Sequence, residues 1–344
     1  MVAFLVSVGV VALATPMVLA WSKRLGLYDQ PDGDRKVHAQ PIPRTGGVAI
    51  AAGLLVPFIG LAFWGNDFSA ELRQDEERLV AFIGGFAAIL GLGLYDDVKG
   101  VGAWGKLSVQ MLVGLLLWTS DLRVSTLTVF DEYIHLGLWS LPLTMLWVAG
   151  FVNAMNLIDG LDGLAAGVAF FASASLFGVA LIDNSPFLAL MGAVTAGSAL
   201  GFLLFNFSPA MIFMGDSGSM ILGYVFAVAG LWSASKRASA FALGLPLVAL
   251  GLPLADTAVA FLRRAIAGKS PFQADRGHIH HRLLDLGLTQ RQAVLIIYGV
   301  CVALTATAIL LRLTEDLSIG GSVLALALTI VVSTRVWMRN RNSR

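Results

Sequence analysis

Between Asn153 and Gly167 the chain reads Asn-Ala-Met-Asn-Leu-Ile-Asp-Gly-Leu-Asp-Gly-Leu-Ala-Ala-Gly, two amides and two carboxylates where one apolar segment gives way to the next. Asn153, Asn156, Asp159 and Asp162 recur at every third position, so a helical backbone turns them slowly around one face. Gly160 and Gly163 then let the chain turn. The result is a polar, metal-compatible edge at the end of a helix. A hydrated interhelix turn also uses Asp and Gly, but needs neither the two Asn in the preceding apolar run nor the strict spacing. Asp96-Asp97 follows Gly-Leu-Gly-Leu-Tyr at the C-terminal end of another apolar stretch. The helix macrodipole disfavours negative charge there, so the pair calls for a cation unless the helix end is simply solvated.

A third cluster is Phe213-Met-Gly-Asp-Ser-Gly-Ser219, with Asp216 between glycines just before a new apolar run. Gly-Asp-Ser-Gly also occurs around a protease nucleophile, but no triad order of His, Asp and Ser supports that here. As a helix start, Asp216, Ser217 and Ser219 can cap free N–H groups, and the glycines admit a phosphate. The fourth cluster is basic: Arg263-Arg264, Lys269, Arg276, His278, His280, His281, Arg282 and Arg291. No Cys or nearby Glu completes a zinc site. Contact with lipid headgroups explains the Arg and Lys but not the histidines. Arg and His facing clustered Asp suit a metal-bound diphosphate.

The elements that position these residues are membrane helices. The chain is 57% hydrophobic and only 13% charged over 344 residues, with a mean hydropathy of +0.79, well above the apolar share of ordinary soluble domains. This predicts an all-α polytopic membrane protein. A span needs about 20 apolar residues, which gives eleven candidates, at 2–21, 46–64, 79–95, 106–119, 138–156, 164–182, 186–205, 219–235, 238–262, 292–312 and 318–336. The first has Lys23-Arg24 after it and no basic residue before it, the reverse of a signal peptide. With the N-terminus outside and the C-terminus inside, segments 22–45, 96–106, 157–163, 206–218 and 263–291 become cytoplasmic loops, and 17 of the 23 Lys and Arg lie inside, as the positive-inside rule favours. Residues 121–136 alternate enough to form a short outer hairpin. The whole of 1–344 reads as one transmembrane catalytic domain.

Net charge is +1, which gives no reason to expect nucleic acid, and the single Cys301 has no partner for a disulfide. Asp256 lies inside the ninth candidate span. A carboxylate there is either functional or a buttress for another helix. A cation-coupled transporter also collects acids in membranes, but it binds near the midplane of repeated halves. These acids gather at one face, and no repeat is visible.

Taken together, Tyr95-Asp-Asp97, Lys106-Leu-Ser-Val-Gln110, Asn153 to Gly163, Gly215-Asp-Ser-Gly-Ser219 and Asp275-Arg-Gly-His-Ile-His-His281 resemble the polyprenyl-phosphate N-acetylhexosamine-1-phosphate transferases. So does His38-Ala-Gln-Pro-Ile-Pro-Arg-Thr-Gly-Gly47, and the resemblance extends from about residue 25 to 290. His-Ile-His-His is similar to the branch that uses UDP-GlcNAc, of the WecA and TagO type. The MraY branch, which takes a phospho-MurNAc-pentapeptide donor, has three consecutive His followed by an acid. Val98-Lys99-Gly100 stands where some members carry a further acid, so a third acid in that loop has no support.

The resemblance implies transfer of GlcNAc-1-phosphate from UDP-GlcNAc to undecaprenyl phosphate, releasing UMP, at the cytoplasmic face of a bacterial inner membrane. This is the initiating step of a cell-envelope polysaccharide such as O-antigen or teichoic acid. Another UDP-N-acetylhexosamine or a phospho-MurNAc-pentapeptide donor stays open. By resemblance Asp216 and Asn156 bind Mg²⁺, with Mn²⁺ as an open substitute, and Asp96 and Asp97 serve the lipid phosphate as base or metal support. Asn153, Asp159, Asp162 and Phe213 fall to the donor, with Phe213 available to stack on uracil. Lys106, Arg276, His278, His280 and His281 fall near the diphosphate. His38 is a loop contact, and a homodimer stays open.

Overall fold

The computed structural model describes residues 1–29, 41–63, 75–129, 132–236, 250–266, 268 and 278–314. His38, Arg276 and the candidate span at 318–336 lie outside them. Among the described residues the chain is almost wholly helical: α1 (Val2–Leu25), α2 (Gly46–Phe63), α3 (Glu76–Lys99), α4 (Ala103–Thr119), α5 (Ser140–Ile158), α6 (Leu164–Ile182), α7 (Pro186–Asn206), α8 (Gly215–Lys236), α9 (Gly251–Ile266), α10 (Ile279–Asp285) and α11 (Gln290–Thr314). Seven are long and apolar enough to cross a membrane: α1, α3, α5 with the turn before it, α6, α7, α8 and α11. This is a polytopic membrane protein. Three further candidate spans are helices among the described residues but are not counted as long and apolar enough to cross. α2 is apolar but short, α4 has 17 residues and α9 has 16. The ninth candidate, 238–262, is described only from residue 250, and its helix runs on to Ile266 with Arg263 and Arg264 in its last turn.

Apolar helices in lipid gain no hydrophobic drive from meeting each other, so close backbone approach through small residues does more of the work. α1 meets α7 in this way at Gly197 and Gly201. A Cβ at Gly201 would lie 2.8 Å from the Val8 carbonyl, and one at Gly197 would overlap that of Phe4. α8 is the most enclosed of the seven. Its Tyr224, Phe226 and Trp232 are fully buried. Trp232 stacks on Phe187 with ring centroids 3.7 Å apart, and the Tyr224 hydroxyl donates to the Phe82 carbonyl at 2.8 Å.

The helix ends sort into two sets. At one end β3 (Thr126–Val129) pairs antiparallel with β4 (Glu132–His135), the hairpin expected in 121–136. Ion pairs of Arg78 with Asp121 at 2.7 Å and Arg312 with Asp183 at 2.5 Å join it there. At the other end lie the C-terminal ends of α3, α5 and α7, the starts of α4, α6 and α8, and α10. A two-residue ladder, β1 (Tyr28–Asp29) with β2 (Ile42–Pro43), closes that end. Alternation in the sequence gives no hint of so short a pairing.

Candidate active site

The start of α8 is the centre of this end. Its first free N–H groups are met by Asp97, from the end of α3. Asp97 Oδ1 accepts the Asp216 N–H at 2.7 Å, and Oδ2 accepts the Ser217 N–H at 3.1 Å and the Ser217 hydroxyl at 2.6 Å. A helix N-terminus attracts an anion, which offsets the unfavourable position of Asp97 at the C-terminal end of its own helix. The cap therefore comes from 119 residues away rather than from Asp216, Ser217 and Ser219 themselves. Ser219 instead donates back to the Gly215 carbonyl at 3.0 Å. Gly215 has φ +69°, and a Cβ there would overlap the Arg44 carbonyl and lie 2.6 Å from both Asp97 oxygens.

Asp96, the neighbour of Asp97, turns the other way. Its Oδ2 lies 2.7 Å from Lys106 Nζ, and its Oδ1 accepts the Val101 N–H at 2.5 Å. Lys106, in the first turn of α4, also pairs with Asp216. One ammonium thus joins two carboxylates from α3 and α8. Asn156, near the end of α5, donates its amide to Ser219 Oγ at 3.0 Å.

Beside this cluster opens a cavity of about 890 Å³, within the range of small-molecule sites. Asn156, Asp159, Asp162, Phe213, Asp216 and His281 line it, bringing together six of the residues singled out by sequence. The backbone holds Phe213 on both sides: its N–H donates to the Pro43 carbonyl at 2.8 Å, and its carbonyl accepts the Gly46 N–H at 3.0 Å. Asp162 accepts the Ala210 N–H at 3.1 Å. Asn153 does not reach the lining. It lies a turn deeper, where its amide donates to Gln110 Oε1 at 2.6 Å and to the Ala149 carbonyl at 2.7 Å. Gln110 is itself fully buried, so this pair ties α4 to α5 below the site.

Two cationic residues in the lining, Lys23 and Arg44, carry no site role in the sequence reading. Lys23 stands there only as a topology signal. Arg44 sits in the Pro-Ile-Pro-Arg-Thr-Gly-Gly run, quoted as a motif without a role. Burial, with repulsion from Asp216 and Asp97 added, raises the Asp159 carboxyl to about 8, and Arg44 acts against that shift. At neutral pH Asp159 is therefore mostly protonated, which lessens the repulsion among the carboxylates gathered at this mouth.

The histidines divide. His278 is buried, with Nδ1 2.8 Å from Asp256 Oδ2. His280 is buried against Gly160, where a Cβ would lie 2.6 Å from its Nε2, and its Nδ1 has no hydrogen-bond partner. Only His281 reaches the cavity. Burial, then the neighbouring His281 and His278, lower His280 to about 4 from 6.5. Between these values the unfolded chain binds more protons than the folded one, so this contribution is whole above about 6.5 and is lost as pH falls toward 4. Asp159 acts with the opposite sign, favouring the folded state at low pH. We therefore expect the thermal midpoint of His280→Gln to fall less than that of the parent protein between pH 7 and pH 5. Equal falls would contradict the shift.

Paired carboxylates, a lysine and a nucleotide-sized cavity thus lie together at one end of a bundle of apolar helices. Residues 79–234 match the family model described as Glycosyl transferase family 4. Over 90% of its length the chain is 37% identical to the "Probable undecaprenyl-phosphate N-acetylglucosaminyl 1-phosphate transferase" of Bacillus subtilis (strain 168), covering 84% of that protein. It is 36% identical to the "Decaprenyl-phosphate N-acetylglucosaminephosphotransferase" of Mycobacterium tuberculosis (strain ATCC 25618 / H37Rv), over 83% of this chain and 76% of that one. It is 27% identical to the "Undecaprenyl-phosphate alpha-N-acetylglucosaminyl 1-phosphate transferase" of Escherichia coli (strain K12), over 80% of this chain and 74% of that one. The chain belongs to glycosyl transferase family 4 and is similar to its phosphoglycosyl transferases.

Proposed function

We propose that this chain transfers GlcNAc-1-phosphate from UDP-GlcNAc to undecaprenyl phosphate, giving undecaprenyl-diphosphate-GlcNAc and UMP, at the cytoplasmic face of a bacterial inner membrane. The observation that carries the reading is Lys106 bridging Asp96 and Asp216 beside the cavity of Asn156, Asp159, Asp162 and Phe213. A lysine and acids at the edge of a nucleotide-sized pocket suit phosphoryl transfer between two anions. The names of the Bacillus subtilis and Escherichia coli relatives supply the sugar and the lipid. The cytoplasmic orientation rests on the 17 Lys and Arg counted on that side.

Asp216 and Asn156 are the residues that would hold Mg²⁺ or its substitute Mn²⁺. Among the described residues no three of His, Cys, Asp or Glu form a ready metal cage. Mg²⁺ commonly takes one or two carboxylates and completes its shell with substrate phosphate and water, which fits one carboxylate, Asp216, and one amide, Asn156, on the wall of an open cavity. When bound, it would neutralise charge on the diphosphate and so ease attack at phosphorus.

The chain's own residues do the rest. A lipid phosphate oxygen attacks the sugar-linked phosphorus, the bond to the bridging oxygen breaks, and UMP leaves. Lys106 offsets the charge that accumulates as the two anions meet, so its task is neutralisation and positioning. A strong general base is not needed, because a phosphate monoester, with a second pKa of about 6, is largely dianionic at neutral pH. Asp97, with both oxygens on the α8 N-terminus, serves as a positioning group, and this favours single displacement over a covalent aspartyl intermediate. Asp159 and Asp162 receive the donor, and Phe213 offers a face to uracil.

A donor panel tests this reading. Purified protein with undecaprenyl phosphate and Mg²⁺ should turn over UDP-GlcNAc at least tenfold faster than UDP-GalNAc or UDP-MurNAc-pentapeptide, and chelation should stop it. Labelled UMP should enter UDP-GlcNAc only when lipid-linked product is present. Preference for another donor would overturn the sugar assignment, and lipid-independent exchange the single displacement.

A further inference from the structure

Asp256 sits on α9, yet both of its oxygens point to the start of α10. Oδ1 accepts the Ile279 N–H at 3.1 Å, and Oδ2 lies 2.8 Å from His278 Nδ1. An ionised carboxylate only accepts hydrogen bonds, so His278 presents Nδ1–H to it and keeps Nε2 as its other functional atom. α10 has seven residues, too few for a helix to hold itself in water. Its fixed points are therefore tertiary. One is Asp256. Another is His280, packed on Gly160, with His278 stacked on it at 5.8 Å between centroids. His281, one residue on, lines the cavity.

We propose that Asp256 is a positioning residue for the transfer. It fixes the tautomer of His278 and the register of α10, and through them holds His281 at the donor site. The role is distinct from a plain helix buttress, since the same carboxylate both caps a helix and selects which imidazole nitrogen carries the proton. Neither task brings Asp256 into contact with substrate. Its effect on turnover must therefore pass through His278 and α10.

This rests on the transferase reading above, and the test separates the two. If the parent protein fails to turn over any UDP-sugar, that reading falls. The tautomer can still be read by ¹⁵N spectroscopy of histidine-labelled protein. In Asp256→Asn the side-chain oxygen can still accept the Ile279 N–H, while its NH₂ faces His278 and forces the proton to Nε2. We expect the folded variant to keep its thermal midpoint within a few degrees and its KM for UDP-GlcNAc within about twofold. Its kcat should drop about 10- to 100-fold, the usual scale for a group that orients a histidine from behind. The His278 ¹⁵N signals should exchange their protonated and unprotonated positions. In a His278→Ala background the same substitution should cost less than about twofold, because the two act as a unit.

Full turnover in Asp256→Asn would overturn the proposal. So would an undiminished loss in the His278→Ala background, which would mean that Asp256 supports the fold alone. If Asp256→Asn does not fold, Asp256→Ala, which also removes the carboxylate facing His278, is read in the same cycle, with the same two results deciding.

Discussion

Asp216→Asn is expected to reduce turnover by about 10²–10³-fold or more, the range for losing one preorganised charge contact to a transition state. The substitution removes the partner of the Lys106 ammonium and the carboxylate proposed to hold Mg²⁺. Asp96 would then be the one carboxylate left beside Lys106 in this bridge. The fold should survive, because the contact of Asp216 with Asp97 is made by its backbone N–H, which Asn retains. Raising Mg²⁺ should not restore the rate. Glu76→Gln is the control: Glu76 is exposed in the first turn of α3, at the opposite end, and its variant should keep nearly full turnover. Initial rates of both variants with UDP-GlcNAc and undecaprenyl phosphate decide this, and a near-normal Asp216→Asn rate would remove Asp216 from the reaction centre.

Gly215→Ala should be as damaging by a different route. At φ +69° a side chain costs about 1–2 kcal/mol from backbone strain alone. The added methyl also has nowhere to go between the Arg44 carbonyl and the Asp97 carboxylate. Relief requires Asp97 to leave the α8 N-terminus, which uncaps the helix and shifts Asp216 with it. We expect turnover to fall at least 100-fold, with a thermal midpoint several degrees lower. Gly91→Ala, in open space on helical α3, should leave both values nearly unchanged. A folded, active Gly215→Ala protein would contradict the close junction of α2, α3 and α8.

Much of this was legible because chemistry at a membrane face stands out against an apolar background. Asn156, Asp159, Asp162 and Asp216 are conspicuous as polar groups between apolar runs, and they do share one cavity. The hairpin of β3 and β4 was legible from alternation. What pairs across the sequence was not. Nothing around Asp97 says that its partner is a helix start 119 residues on, and nothing around Asp256 names His278.

Regular spacing also misled at Asn153. Three residues turn a helix by roughly 300° and climb about 4.5 Å, enough to carry Asn153 away from the cavity and into contact with Gln110. Span counting was limited by α2, α4 and α9. α4 carries Lys106 and Gln110 in its first turns, and α9 carries Asp256, Arg263 and Arg264, so neither apolar run matches its helix.

The central claim is that the sugar moves with its phosphate. UDP-GlcNAc labelled with ³²P at the sugar-linked phosphate separates this from ordinary sugar transfer, since the two break different bonds. With purified protein, Mg²⁺ and undecaprenyl phosphate, the label should appear in the lipid, and unlabelled UMP should be released in equal amount. Label retained in released UDP, with the sugar alone on the lipid, would contradict the account.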